Sequence, residues 1–426
     1  MARPVRRAAV LLLAAAALLA GCGGSGAESS GGRAPTVDFQ VFGDAEELAI
    51  YREVAAGYEK KTGDRVRIVE APDRDAHLQK LTTSFAAKQP PDVFLLNYRN
   101  FGPFVDKGVL DPVGPRLDAS KAIDRDDYYP APLDAFTWKG ELTCMPQNAS
   151  SLVVYVNLEA FEQAGVEPPQ GDWTFDEFLA AARRLRDAAR KRDAKGQARA
   201  LGVDPALIRL APFVWSAGGE LVDDLDAPGR FVFETPQARL GIDRFLSLYR
   251  EGLVPREVDV ESQALDERFI EGSLAMFMSS RREVPSFRSI TAFEWDVAPF
   301  PKAERAASVL HSDAFCMAKG ENADAAWRFV EYAAGAEGQA ALARGGRTVP
   351  SLKSVAESED FLRADAPPRR AQVFLDALEG LQRLPNTERW PEIEDAATLA
   401  FKQAFYAELP VDEAIRRIDD ETRDAF

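Results

Sequence analysis

Residues 37–41, Val-Asp-Phe-Gln-Val, alternate apolar with polar in the period of a half-buried strand. Asp44 then precedes a run whose apolar residues Leu48, Tyr51, Ala55 and Tyr58 fall on one helix face, and Gly63 closes it. A strand over 66–69 follows. A helix around 78–85 leads into Val93-Phe94-Leu95-Leu96, a wholly apolar run suited to a parallel strand buried on both faces. Strand and helix alternate twice, so the first region is predicted to be α/β. From residue 152 the pattern restarts with a strand over 152–156. A helix opens at Thr174, where Thr174 and Glu177 form a capping box, with its apolar stripe at Phe175, Phe178, Leu179, Ala182 and Leu185. Further helices run from Thr235-Pro236 to Gly252 and from Asn322 through Trp327, Phe329 and Val330 to Gly335. The charge-dense segment 188–199 reads as an exposed helix end and turn.

The N-terminus departs from this alternation. Arg3, Arg6 and Arg7 precede an apolar run over 8–20, the pattern of an export signal and too short to span a bilayer as a mature helix. Its ending, Leu19-Ala20-Gly21-Cys22, resembles a bacterial lipobox. That resemblance implies a signal peptide over 1–21, cleavage before Cys22 and acylation of Cys22. Residues 22–35 are mostly Gly, Ser and Ala and read as a flexible tether. The remaining chain, about 390 residues, is too long for one core and implies two domains. Its 68 acidic residues outnumber 52 basic ones, and the basic ones are dispersed, which argues against a nucleic-acid partner. No later stretch is apolar enough to cross a membrane, so the lipid would be the anchor. Outside the cytoplasm Cys144 and Cys316 could form a disulfide or remain two buried thiols in separate strands, and the sequence leaves both open.

Five stretches occur in an order that resembles the extracellular solute-binding proteins of ABC sugar importers, the maltose-binding-protein-like family. They are Tyr58-Glu59-Lys60-Lys61-Thr62-Gly63; Pro91-Asp92-Val93-Phe94 with Gly108-Val109-Leu110-Asp111-Pro112; and Met145-Pro146, Tyr155-Val156-Asn157 and Trp173-Thr174. The fourth is Trp295-Asp296-Val297-Ala298-Pro299-Phe300-Pro301, and the fifth is Met317-Ala318-Lys319-Gly320 with Ala325-Ala326-Trp327-Arg328-Phe329-Val330. The resemblance implies an α/β fold of two lobes joined by chain crossings near Pro146, Ser312 and Pro350, closing by hinge motion on a ligand. It would place 36–146 with 312–350 in lobe one, and 147–311 with 351–426 in lobe two. It also implies a monomer that hands its solute to the membrane subunits of an ABC permease, without cofactor or metal.

A sugar needs planar polar side chains for its hydroxyl edges and aromatic rings for its faces. Ligands of open α/β sheets sit beyond the carboxyl ends of strands, which points to Asp44 after the first strand and to Asn97 and Tyr98 after the third. Asp44 serves equally as a helix N-cap. By resemblance, Asn148 lies just past the first crossing, Trp215 stands before a Gly-Gly pair near the cleft, and His311 and Asp313 flank the second crossing. Trp390 corresponds to a late aromatic of the cleft, or to a core residue at a helix start. Arg281 and Arg282 follow an apolar run where relatives carry residues that reach the ligand, and these two suit an acidic or phosphorylated sugar or pair with nearby acids.

Catalysis lacks its parts. Two histidines, no Gly-x-Ser-x-Gly, no His-Glu-x-x-His, no Cys and His cluster and no Gly-x-x-x-x-Gly-Lys argue against nucleophilic, zinc and nucleotide chemistry. The expected function is therefore capture of a solute, probed against the rival reading of a secreted glycosidase and against a polyamine, peptide or glycerol phosphate as the solute.

Overall fold

Alternation over the first strand places Val37, Phe39 and Val41 on one fully buried face, and the strand extends to Thr36–Phe42 (β1) in the computed structural model, which describes residues 35–192 and 198–426. The signal peptide, Cys22, the tether up to residue 34 and part of the charged 188–199 segment lie outside the described residues. Asp44 caps the helix Ala45–Thr62 (α1) by accepting from the backbone of Glu46 and Glu47, at 3.0 and 2.9 Å, and Gly63 ends it with φ 80°. The chain then forms Arg65–Ala71 (β2), the helix Arg74–Ala86 (α2) and Val93–Asn97 (β3), all of whose residues are buried. β1 pairs in parallel with β2 along its whole length and with β3 at Phe39 and Gln40.

Two short residues of strand, Met145–Pro146 (β4), precede Leu152–Asn157 (β5), and the two belong to different sheets. The capping box at Thr174 forms as predicted, with Thr174 N–H donating to Glu177 Oε2 at 2.7 Å, and opens the helix Phe175–Arg192 (α3). Arg199–Gly202 (β6), the helices Leu207–Ser216 (α4) and Pro236–Arg250 (α5), Leu274–Ser280 (β7) and Trp295–Ala298 (β8) follow. Asp313–Met317 (β9) returns to the first sheet, followed by the helices Ala323–Ala334 (α6) and Ala336–Gly345 (α7). Trp390–Phe405 (α8) and Val411–Thr422 (α9) end the chain.

The first sheet has the order β2-β1-β3-β9-β4 and the second β8-β5-β7-β6. Each is the centre of one lobe. Phe39, Phe315, Phe329 and Tyr58 interlock in the first core. In the second, Tyr155 is ringed by Phe287, Trp295 and Phe269. Helices α4, α5 and α8 pack on one another.

The register Ala314↔Pro146 and Phe315↔Met145 brings Cys316 beside Cys144, and the two are joined by a disulfide with Cα atoms 4.5 Å apart. Segments 147–151 and 310–312 run between the two sheets, and 346–352 accompanies them. They lie side by side, bridged at Ser150↔His311 and Asn148↔Pro350. The last part of the chain is not confined to lobe two. Leu384 N–H donates to the Tyr98 hydroxyl at 3.2 Å and Asn386 donates to the Ala135 carbonyl at 2.8 Å. This approach needs a glycine at Gly102, where a Cβ would stand 2.1 Å from the Thr387 carbonyl oxygen.

Candidate functional site

The carboxyl ends of β1 and β3 meet the three segments in a cluster of polar and charged side chains. Gly43, with φ 149°, turns the chain from β1 into α1, and a Cβ there would meet the Glu47 carboxylate at 2.4 Å. Glu47 is thereby tucked beneath the turn. Arg347, from segment 346–352, approaches it at 3.1 Å and also pairs with Asp44. Burial pushes the Glu47 carboxyl up to about 7, with Arg347 opposing and Asp313 and Asp44 adding to the rise.

At the end of β3, Asn97 donates to Asp313 at 3.1 Å and accepts from Arg99 N–H at 3.2 Å. Arg99 is ion-paired with Glu394 of α8. Arg74, the first residue of α2, lies over the Phe42 ring with its guanidinium carbon 5.6 Å from the centroid. From lobe two, Arg209 of α4 contacts His311, Nη1 to Nε2, at 2.8 Å. His311 Nε2 must accept in this pair, because an arginine only donates, so the imidazole is neutral. Burial holds its pKa well below the ordinary histidine value, and the charges of Arg209, Arg99, Arg74 and Arg282 add to the depression.

Asn148 ties the cluster to the crossings. It donates to the His311 carbonyl at 2.8 Å and to Ser150 Oγ at 3.1 Å, and accepts from Asp313 N–H at 2.9 Å. Ser312 Oγ donates back to the Asn148 carbonyl at 2.6 Å. Buried polar groups that are saturated by one another in this way fix the paths of the crossing strands.

Of the residues singled out from the sequence, Asp44, Asn97, Asn148, His311 and Asp313 come together here. The remaining four are placed elsewhere. Tyr98 is enclosed with no exposed surface, its hydroxyl accepting from Leu384 N–H. Trp390 is also fully enclosed at the start of α8, 6.1 Å from the Phe231 ring, and presents no face for stacking. Arg281 points into the core of lobe two, its guanidinium carbon 4.0 Å from the Phe361 centroid and 5.0 Å from that of Phe374, and burial lowers its pKa to about 9. Trp215 is buried in the last turn of α4, where its carbonyl accepts from Arg305 Nε at 2.7 Å. Arg282, by contrast, is largely exposed, 3.5 Å from Glu283.

Sequence reasoning passed over Glu47, Arg74, Arg209 and Arg347. Arg209 carried a usable signal, being the one charged residue in the otherwise apolar and small helix Leu207–Ser216. Arg347 carried none. Among the described residues no group of three His, Cys, Asp or Glu side chains is arranged to hold a metal ion.

Comparison with known proteins places this geometry in a family. Binding proteins of Brucella abortus and Brucella suis are 22% identical over 370 residues, spanning 83% of this chain and 84% of theirs. Among solved structures, a Listeria monocytogenes ABC substrate-binding protein in complex with cycloalternan superposes with a TM-score of 0.82 at 21% identity, covering 92% of this chain and 99% of that one. The sugar-binding protein MalE of Xanthomonas citri gives 0.79 at 22% identity, covering 91% and 96%. UgpB of Mycobacterium tuberculosis, in complex with glycerophosphocholine, gives 0.76 at 20% identity, covering 92% and 98%. These likenesses establish a common two-lobed fold. The sequence pattern described as the bacterial extracellular solute-binding protein matches residues 43–340, more than half of the chain, and the chain belongs to that family.

Proposed function

We propose that this protein is the receptor of an ABC importer, a lipid-anchored subunit that closes two lobes on a small hydroxylated solute of the sugar type and presents it to the permease. The observation that carries this reading is the meeting of three side-by-side segments, bridged in antiparallel fashion, with a polar cluster at strand ends. Segments 147–151, 310–312 and 346–352 are bridged to one another at the place where Asn97, Asn148, Asp313 and Arg209 converge. A bend in the crossings moves one wall of that cluster against the other, which is how a cleft converts binding into a change of shape. The resemblance of the Leu19-Ala20-Gly21-Cys22 ending to a lipobox supports the anchor, and the sugar-binding relatives support the solute class.

A catalytic reading fits the carboxylates less well. Glu47 is tied to Arg347 and Asp313 to Asn97, so neither is placed as a free acid and base pair. The test is thermal unfolding and small-angle scattering of the purified chain with a panel of mono- and oligosaccharides, sugar acids and sugar phosphates. A receptor gains melting temperature and contracts with its solute. Silence across the whole panel, or turnover of a glycoside, would sink the proposal.

A further inference from the structure

The charges of the cluster are unevenly answered. Arg74 and Arg99 from lobe one and Arg209 and Arg282 from lobe two all act on His311. Glu394 pairs with Arg99, Glu283 lies 3.5 Å from Arg282, and Arg347 is met by Asp44 and Glu47. Arg74 and Arg209 are left without an ion-pairing carboxylate among the described residues. Arg74 rests on the Phe42 ring, and Arg209 is bound to a neutral imidazole that accepts one hydrogen bond and cancels no charge. The Nε atoms of both are shielded from solvent and find no acceptor. The acids that act on them at longer range are Asp313 and Glu47 for Arg74, and Asp204 and Glu283 for Arg209. Asp313 is already engaged by Asn97, and Asp204 is exposed.

A guanidinium nitrogen withdrawn from water without an acceptor is unfavourable, and both arginines are repelled by Arg99 and Arg282. A neutral sugar hydroxyl would supply acceptors but no opposing charge. We infer that the solute held between the lobes bears an anionic group, a carboxylate or a phosphate, seated between Arg74 and Arg209 with the exposed Arg282 at the rim. The planar fork of arginine matches the paired oxygens of either group, and a phosphate or carboxylate supplies both acceptor sites and charge. His311 acts as a positioning residue, fixing the Arg209 fork through Nε2. The chain as a whole is strongly acidic, with a net charge of −16, so this local excess of unanswered cations runs against its composition. The inference rests on the receptor reading above and names the solute class of that same site.

Calorimetry on the intact chain in detergent, with matched solutes, tests it. Glucose is compared with glucuronate and glucose 6-phosphate, and glycerol with glycerol 3-phosphate. The expected result is at least tenfold tighter binding of a charged member than of its neutral partner. That preference should fall to near parity in Arg74→Gln and Arg209→Gln, and Arg209→Lys should restore part of it by returning the charge without the fork. The carboxylate and phosphate arms distinguish the two sources, and melting curves of the free variants report folding separately. Neutral sugars binding as tightly as their charged partners, or a preference that survives both glutamine substitutions, overturns the inference while leaving the receptor reading intact. No heat and no thermal shift from any neutral or charged solute removes both.

Discussion

The Asn148 side chain spans two crossings, donating to the His311 carbonyl at 2.8 Å while its oxygen accepts from the N–H of Asp313 at 2.9 Å. The two backbone partners are His311, in the second crossing, and Asp313, at the start of β9, so one buried amide of the first crossing sets its spacing from the second. Asn148→Ala leaves the Asp313 N–H without an acceptor, at a cost of about 1–3 kcal/mol, while the His311 carbonyl keeps the Ser150 N–H at 3.0 Å. We expect a loss of about 1–3 kcal/mol in denaturant unfolding. Asn148→Ala with unchanged stability would show that the crossings hold their geometry without it.

Arg99 and Glu394 form a second tie, between the end of β3 and α8, and both side chains are mostly buried, at 17% and 9% exposure. Removing one partner of such a pair strands a charge, at about 3–5 kcal/mol if nothing moves. The lobes can relieve that cost by parting and letting Arg99 reach water. Glu394→Gln is therefore expected to enlarge the radius of gyration of the ligand-free protein in small-angle scattering. Superimposable scattering from the variant and the parent would refute the tie.

Arg281 supplies a contrasting case. Its Nε and Nη1 have no hydrogen-bond partner, and its charge is held by the Phe361 and Phe374 rings and by one donation from Nη2 to the Phe361 carbonyl at 3.2 Å. Arg281→Met, close in volume and without the charge, should keep stability or raise it by about 1 kcal/mol. Solute affinity should not change. A tenfold loss of affinity with intact folding would return Arg281 to the binding site.

The elevated Glu47 carboxyl predicts a pH response. The groups facing it are Arg347, Asp313, Asp44 and Arg282. Its folded value of about 7 lies above the ordinary value of 4.5, so the folded state favours the protonated form. The corresponding stability is complete below 4.5 and is lost as pH rises through 7. Above 7 the ionised group also adds negative charge near Arg74. Affinity for an anionic solute is expected to weaken between pH 6 and 8, by roughly two- to fivefold, and Glu47→Gln should flatten the profile. An equally steep profile in that variant would assign the titration elsewhere.

Cys22→Ala should release the protein from the membrane and leave solute affinity unchanged, because the described fold begins beyond residue 34. Fractionation of cells followed by calorimetry on the released chain checks both halves. Retention in the membrane fraction would rule out acyl attachment at this residue.

Local signals made much of lobe one legible in advance. The alternation at Val37, Phe39 and Val41, the apolar run Val93-Phe94-Leu95-Leu96 and the Asp44 cap each depend on neighbours in sequence, and each appears at its predicted place. The return of β9 beside β3 has no local signature, since Asp313 meets Asn97 only through the tertiary fold. The same limit applies to the site. Asn148, His311 and Asp313 were reachable because they flank crossings, whereas Arg74 and Arg347 look like any surface arginine until their partners are known. Tyr98 and Trp390, both enclosed, turn on a different ambiguity: an aromatic side chain is as good for filling a core as for stacking on a sugar, and composition does not tell which side of the backbone it occupies.

The Cys144–Cys316 disulfide stands within three residues of the first crossing and four of the second. It fastens β4 to β9 just before one crossing leaves lobe one and just after the other enters it. Without a covalent clamp, a bending load on the crossings could be dissipated by peeling β4, only two residues long, from the edge of its sheet. With the clamp, lobe one turns as a plate and the deformation is confined to the few residues between the sulfurs and the second sheet. A short flexing length makes the swing repeatable from one cycle to the next, so that what reaches the permease is a consistent outline and not a family of partly closed ones.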